Sequence, residues 1–154
     1  MANGRYQLTL DNGEQLQLYE EVILKYELLL KKEIQKDKMI SIEEYNTEWD
    51  VYYTALKSLK SRFKSSYELR KSLLDKAYPV ELVDKAINKL TEQKYLDDRS
   101  FTKGYINNQI ITSSKGPNRI MKDLSAKGIM NSIIQEEILV FDEDVQKEKI
   151  DKII

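Results

Sequence analysis

The side chains that could carry out chemistry are few in type. The chain of 154 residues contains neither histidine nor cysteine, which removes the commonest general base, the commonest metal ligand and all thiolate chemistry. Its five glycines are scattered, so they cannot form a glycine-rich phosphate loop. Carboxylates, lysines, tyrosines and hydroxyls remain, and only a close arrangement of these could form an active site.

Asp97 and Asp98 are the tight carboxylate pair of the middle of the chain. Adjacent helical residues point about 100° apart, so this pair is not set to share a proton. The pair is fully explained as a helix start, where carboxylates accept hydrogen bonds from free amides. The acidic run of Asp142, Glu143 and Asp144 lacks the spacing of a calcium loop. We therefore predict no enzymatic activity, no metal and no cofactor.

The charged residues are strongly segregated along the chain. Residues 1–51 carry 6 basic and 11 acidic side chains, residues 52–128 carry 16 and 8, and residues 129–154 carry 3 and 7. The net charges are therefore −5, +8 and −4, which sum to the overall −1. A basic module of this kind can meet phosphates or an acidic protein surface. A lysine-rich helical face that simply contacts water is the alternative.

The N-terminal part of the chain predicts a β-hairpin followed by a helix. Alternating apolar and polar residues flank Asp11-Asn12-Gly13, which is a strong hairpin signal. Apolar residues at helical spacing then predict a helix over 22–30, and residues 31–40 are interpreted as its fraying end and a linker. No apolar run approaches the roughly 18 residues that span a bilayer, and no signal peptide is evident, so we expect a soluble protein.

The remainder of the chain predicts consecutive helices with well-marked starts. Ser41–Glu44 and Ser65–Glu68 are capping-box patterns, and the first of them is predicted to open a helix that runs to Phe63. Pro79 and the Gly116-Pro117 pair suit the starts of two further helices. Lys127-Gly128 is typical of a helix end. The last residues, Glu143 to Ile154, are a further helix candidate.

A shift of 51 residues superimposes the apolar pattern of one three-helix segment on the next. Seven apolar positions then coincide, and the pairs are Ala55 and Ile106, Leu59 and Ile110, Leu69 and Ile120, Leu73 and Leu124, Leu82 and Ile133, Val83 and Ile134, and Ile87 and Ile138. The sequence therefore predicts a mainly α protein of tandem three-helix repeats with a small N-terminal hairpin and helix. The predicted units are 1–40 (hairpin and helix), 41–97 (repeat 1), 98–141 (repeat 2) and 142–154 (the start of a truncated third repeat).

The same shift also pairs cations that apolar packing does not require. The pairs are Lys64 with Lys115, Lys71 with Lys122, and Lys76 with Lys127. If the repeats are stacked regularly, these side chains form a basic strip for a partner or for DNA. The complete predicted strip is Arg62, Lys64, Arg70, Lys71, Lys76, Lys115, Arg119, Lys122 and Lys127. A solvated face chosen for helix propensity is the competing interpretation.

Residues 50–140 contain three ordered motifs. They are Arg62-Phe63-Lys64-Ser65-Ser66-Tyr67-Glu68-Leu69, then Tyr95-Leu96-Asp97-Asp98-Arg99-Ser100-Phe101, and then Lys115-Gly116-Pro117 with Leu124 and Lys127-Gly128-Ile129. In this order and spacing they resemble the RecX family of bacterial regulatory proteins. The motif residues that we interpret as architectural are Ser65, Glu68, Leu69, Asp97, Asp98, Gly116, Pro117, Leu124 and Gly128. The binding role is expected to fall on the basic side chains around them.

The resemblance implies a cytoplasmic, non-enzymatic monomer that binds the RecA–DNA filament. It implies that the protein limits the recombinase, ATPase and coprotease activities of RecA, and so acts in homologous recombination, DNA repair and the SOS response. The family generally has glycine where this chain has Ala77, so the second helix of repeat 1 is expected to end less sharply. The family also continues into a third repeat where this chain stops, and either a truncated chain or a short variant would explain that.

Two further classes of function are compatible with the residues. Three short helices in a row resemble helix–turn–helix units, so the chain could bind nucleic acid directly. However, Asn88, Gln93, Asn118 and Arg119 are scattered instead of lying on one helix face for reading bases. A purely structural or dimerising helical domain is the third possibility, with the acidic ends of one copy against the basic middle of another.

Overall fold

A computed structural model describes residues 4–30 and 33–141 of the chain. Two strands are followed by seven helices within these residues, so the predicted mainly α fold with a small N-terminal hairpin is confirmed. The predicted third-repeat start at 142–154, with its acidic run and helix candidate, lies outside the described residues. None of the described helices combines the length and the apolarity that a bilayer span requires.

The N-terminal unit is the predicted hairpin. Strands β1 (Arg5–Thr9) and β2 (Gln15–Tyr19) pair antiparallel with Gln7 opposite Gln17. Gly13 turns the chain with φ +88°, a conformation that glycine adopts without steric cost. Helix α1 (Glu20–Lys25) follows β2 directly.

Two predictions for this unit are wrong in their bounds. The helix predicted to reach residue 30 ends at Lys25, because Glu27 takes a left-handed conformation with φ +52°. Helix α2 (Lys36–Ser61) begins five residues before the capping box predicted at Ser41, so the predicted division between residues 40 and 41 falls inside a helix. Packing favours the early start, since Met39 in the added stretch packs against the hairpin cluster.

The predicted helix starts after residue 61 agree with the structure. Helices α3 (Ser66–Asp75) and α4 (Val80–Glu92) pack with α2 as the first three-helix group. Helices α5 (Asp98–Thr112), α6 (Pro117–Ala126) and α7 (131–141) form the second. Phe63 is an exception, because α2 ends at Ser61 and Phe63 is 61% exposed.

The shift of 51 residues describes the packing of the two groups. Four of the seven predicted pairs are buried at both positions: Ala55 and Ile106, Leu69 and Ile120, Leu73 and Leu124, and Val83 and Ile134. Each group has its own apolar cluster, and the two clusters have no buried residue in common. We refer to the groups as repeat 1 (α2–α4) and repeat 2 (α5–α7).

The helix end at Ala77 differs from the expectation of a less sharp stop. Ala77 has φ +65°, close to the φ of +77° at Gly128, the matching position in repeat 2. Both second helices therefore end with a left-handed residue in the usual C-terminal manner. In repeat 1 an alanine occupies a conformation that is unfavourable for a residue with a Cβ atom.

Candidate partner-binding groove

Repeat 1 and repeat 2 meet along a surface groove of about 650 Å³. Its residues come from the connection between α2 and α3, from α3 itself, and from α5, α6 and the segment before α6. They are Arg62, Lys64, Tyr67, Glu68, Lys71, Ser72, Asp75, Tyr105, Lys115, Asp123, Ala126 and Lys127. Five of these side chains are cations and three are carboxylates, so the groove is basic overall.

The groove brings together about half of the predicted basic strip. Arg62, Lys64, Lys71, Lys115 and Lys127 line it, whereas Arg70, Lys76, Arg119 and Lys122 do not. Of the three pairs related by the 51-residue shift, only Lys64 and Lys115 have both members in the groove. Whether a cation lines the groove therefore depends on how near it lies to the junction between the repeats. Its pairing under the 51-residue shift is a poorer guide.

Asp123 organises the repeat 2 side of the groove. Its carboxylate lies 2.8 Å from Lys115 Nζ and 3.9 Å from Arg119 Nε, and it accepts a 3.0 Å hydrogen bond from the Tyr105 hydroxyl. The hydrogen bond from Lys115, followed by that from Tyr105, lowers the pKa of Asp123, and the same carboxylate raises the pKa of Lys115. Asp123 therefore stays ionised and holds Lys115 in its charged form.

The cations of the groove differ in how far they are already paired. Lys127 Nζ lies 3.4 Å from a Glu68 carboxylate oxygen, and Lys115 is held by Asp123. Lys64 donates a 2.9 Å hydrogen bond to the neutral hydroxyl of Ser58. Within residues 4–30 and 33–141, no carboxylate pairs with three of the groove cations: Arg62, Lys64 and Lys71. These three are the most available to an anionic partner.

The predicted cations outside the groove also fall into two kinds. Arg70 Nε lies 2.7 Å from an Asp84 carboxylate oxygen, and this contact lowers the pKa of Asp84. Lys76 and Lys122 are exposed and make no ion pair within the described ranges. Arg70 therefore stabilises the α3–α4 pair, while Lys76 and Lys122 are free surface charges.

Ser65 is a motif residue with two structural roles. As predicted, it is the N-cap of α3, and its hydroxyl accepts a 3.2 Å hydrogen bond from the Glu68 amide within a capping box. The same hydroxyl donates a 2.8 Å hydrogen bond to the Lys127 carbonyl oxygen in repeat 2. Because Ser65 is completely buried, its hydroxyl requires these partners. The residue both begins a helix and joins the repeats.

Asp97 and Asp98 divide the helix-start role that the sequence assigned to both. Asp97 is the N-cap of α5 and accepts hydrogen bonds from the Arg99 and Ser100 amides at 3.0 and 3.2 Å. Asp98 instead reaches repeat 1, where it accepts from the amide and the hydroxyl of Ser66 at 2.8 and 2.6 Å. The two carboxylates are thus occupied separately, and neither faces the groove.

Sequence reasoning did not identify two contacts at the junction. A Cβ atom placed on Gly128 would lie 2.3 Å from Tyr67 Cβ, so the repeats approach each other through the missing side chain of that glycine. The rings of Phe63 and Phe101 stack with centroids 5.8 Å apart. Periodicity cannot reveal such contacts, but the occurrence of these residues within the three motifs is a signal that could have drawn attention to them.

The comparisons with known proteins concern this same arrangement. Residues 97–137 match the family model described as RecX, second three-helix domain. The chain is 31% identical over 136 residues to the regulatory protein RecX of Oceanobacillus iheyensis, a match that covers 88% of this chain and 50% of that protein. The corresponding protein of Bacillus velezensis is 28% identical over 145 residues, which cover 93% of this chain and 55% of that protein.

Solved structures agree with the sequence matches. The crystal structure of a regulatory protein RecX superimposes with a TM-score of 0.79 and 28% identity, covering 94% of this chain and 71% of the other. The chain is therefore similar to RecX regulatory proteins both in sequence, over most of its length, and in fold. It spans about half the length of the curated RecX relatives described above. The groove lies between the first three-helix unit and the unit that matches the second RecX domain.

Proposed function

We propose that this chain is a non-enzymatic regulator that binds a RecA–DNA filament through the groove between its repeats. The observation that carries this proposal is the convergence of five cations from two repeats on one surface, with Arg62, Lys64 and Lys71 unpaired by any described carboxylate. The regulatory class is supported by the names of the relatives, which are regulatory proteins. The lack of histidine and cysteine is in keeping with a binding role.

The charge of the groove suits a filament of this kind. Nucleic acid carries a dense array of phosphates, and lysine and arginine side chains that contact them release condensed counterions. Cations supplied by two three-helix groups can contact a repeating anionic surface at more than one point. Binding would slow ATP hydrolysis and strand exchange by RecA, and so would act in recombination, DNA repair and the SOS response, in the cytoplasm where such filaments form.

Direct nucleic-acid binding without RecA is the competing function, because the same cations fit free phosphates. Its affinity for naked DNA would fall steeply as salt increases. A regulator of the filament would instead bind far better when RecA and nucleotide are present. Titration of the chain against labelled DNA, with and without RecA at several salt concentrations, distinguishes the two functions.

The decisive experiment measures the DNA-dependent ATPase of RecA as this chain is added. The variant Arg62→Glu with Lys71→Glu should require a much higher concentration for inhibition. For its binding to the filament, the slope of log affinity against log salt concentration should be shallower by about two, because two phosphate contacts are lost. Lys115 is a poorer target, because a carboxylate there would face Asp123.

The matched control is Lys76→Glu with Lys122→Glu, which makes the same change in net charge on exposed cations outside the groove. The control should inhibit RecA like the unchanged chain, and far-UV circular dichroism should be the same for all three proteins. Equal inhibition by the groove variant would contradict the role of the groove. An unchanged chain that does not affect RecA would contradict the function itself.

A further inference from the structure

Phe63 is an exposed aromatic residue that neighbours two groove cations in the chain but does not itself line the groove. It lies in the connection between α2 and α3, directly between Arg62 and Lys64, both of which line the groove. The residue is 61% exposed. Phe63 thus combines an exposed apolar ring with a cation on each side of it in the sequence.

The ring of Phe63 is held in place by a stack of aromatic residues. It lies parallel to Phe101, with an interplanar angle of 8° and a centroid separation of 5.8 Å. Phe101 is buried and in turn stacks on Tyr105 at 6.2 Å and 16°. Tyr105 lines the groove, and Lys127 Nζ lies 5.6 Å from the centroid of its ring. The stack therefore runs from an exposed ring at one end to the basic groove at the other.

We propose that Phe63 is a stacking platform for an unpaired nucleobase, so that the chain binds single-stranded nucleic acid in preference to duplex. This inference rests on the proposed function, because it assumes that the groove contacts the nucleic-acid component of the filament. One face of Phe63 is occupied by Phe101, and the exposed remainder of the ring is available to a planar ligand. A base that stacks there would place its phosphates near Arg62 and Lys64.

The preference for a single strand follows from whether the faces of its bases are free to stack. In a duplex the base faces are already stacked on their neighbours, whereas a single strand can present a face to an aromatic side chain. The cations alone would not discriminate, since both forms carry phosphates. The competing explanation is that Phe63 only covers Phe101 at the junction, and an aliphatic side chain would serve that purpose equally well.

The test compares the unchanged chain with Phe63→Leu, which keeps the apolar cover but removes the aromatic face. The probes are a fluorescein-labelled oligothymidylate of about 16 nucleotides and the duplex of the same length. Tyr95→Leu is the matched control, because Tyr95 is 56% exposed but lies outside the groove. Far-UV circular dichroism and the thermal midpoint establish that each variant is folded.

We expect Phe63→Leu to weaken single-strand binding by about 5- to 150-fold, the factor that roughly 1–3 kcal/mol of stacking represents. Its duplex affinity and its salt dependence should not change, because the phosphate contacts remain. Tyr95→Leu should bind both probes normally. Unchanged single-strand binding by Phe63→Leu, an equal loss on both probes, or no binding of the oligothymidylate by the unchanged chain would each overturn the inference.

These outcomes are separable from those of the proposed function. If the chain binds the oligothymidylate through Phe63 but does not affect the RecA ATPase, the regulatory function fails and the stacking role stands. If the chain inhibits RecA and Phe63→Leu changes neither inhibition nor oligothymidylate binding, the stacking role fails and the regulatory function stands.

Discussion

Gly128 offers a direct test of how the two repeats are joined. It is left-handed, with φ +77°, and a Cβ atom at this position would lie 2.3 Å from Tyr67 Cβ and 2.4 Å from Tyr67 Cγ. Real Cβ atoms do not approach so closely, and Tyr67 Cβ is attached to the backbone of α3, so no rotation of the side chain can move it. The substitution Gly128→Ala therefore requires α3 or the end of α6 to shift.

The expected destabilisation has two parts. An alanine in the left-handed region costs about 1–2 kcal/mol, and forcing an extra carbon into a packed contact typically costs about 1–3 kcal/mol. Gly128→Ala should therefore lower the free energy of unfolding by about 2–5 kcal/mol. Ala77→Gly, at the matching position of repeat 1, should act in the opposite direction. Relief of the left-handed alanine exceeds the entropic cost of glycine, and we expect a gain of up to about 1 kcal/mol.

Urea unfolding monitored by two signals provides the assay. Far-UV circular dichroism reports on all the helices, whereas fluorescence reports on Trp49, the chain's single tryptophan, which packs against the cores of the hairpin and repeat 1. In Gly128→Ala the circular dichroism signal should fall at lower urea than the fluorescence signal changes, because the altered contact belongs to repeat 2 and the junction. A stability within about 0.5 kcal/mol of the unchanged chain would refute the close approach of Tyr67 and Gly128.

Two further predictions concern the helix caps. Ser65→Ala should destabilise the protein by about 1–3 kcal/mol in urea unfolding, because it removes a cap and leaves a carbonyl of repeat 2 without its donor. As a control, Ser61→Ala at an exposed position should change the stability by about 0.5 kcal/mol or less. Equal effects of the two substitutions would contradict the junction role of Ser65. The pKa of Asp97 is lowered, chiefly by the hydrogen bond from the Ser100 backbone amide. The folded state therefore binds this proton less readily than the unfolded state, so the stabilisation by Asp97 is present at neutral pH and is lost as the pH falls below the usual pKa of an aspartate. Asp97→Asn keeps a capping oxygen and should remove this part of the acid sensitivity, and acid unfolding curves that superimpose would contradict the assignment.

The parts of the fold that were predicted correctly depend on local chemistry. Ser65 and Asp97 begin helices through side-chain oxygens, and Pro117 suits the first turn of α6. Gly128, which lacks a Cβ, takes the left-handed conformation that ends α6. The start of α2 was missed for the opposite reason. Met39, in the stretch before Ser41, packs against the hairpin cluster, and no residue pattern near Ser41 carries information about that distant contact.

The basic charge of the groove could be predicted from the sequence, but the particular cations that line it could not. The excess of lysine and arginine in residues 52–128 is a property of composition, and it indicated a basic surface. Which cations remain available depends on carboxylates that folding brings near. Arg70 is paired with Asp84 and Lys115 with Asp123, 14 and 8 residues further along the chain. Such pairings depend on how helices pack and on side-chain conformations, so residue types and spacing do not determine them.

The hairpin and repeat 1 are joined by apolar residues that belong to both of their cores. Trp49 and Tyr53 pack against both the hairpin cluster and the repeat 1 cluster. Asp50 reinforces this connection, because its carboxylate accepts 2.7 Å hydrogen bonds from the hydroxyls of Tyr19 and Tyr78. Apolar burial of this kind is non-directional and resists separation, so the hairpin and repeat 1 should unfold together.

The junction between repeat 1 and repeat 2 is held in a different way. Hydrogen bonds from Ser65 and Ser66, the ion pair of Glu68 with Lys127, and the stack of Phe63 on Phe101 connect two apolar clusters that have no buried residue in common. Polar contacts that are partly open to water can exchange partners at a small net cost. An anionic ligand in the groove can therefore compete with Glu68 for Lys127 without opening either core, since the ion pair lies between the two apolar clusters and not within one of them.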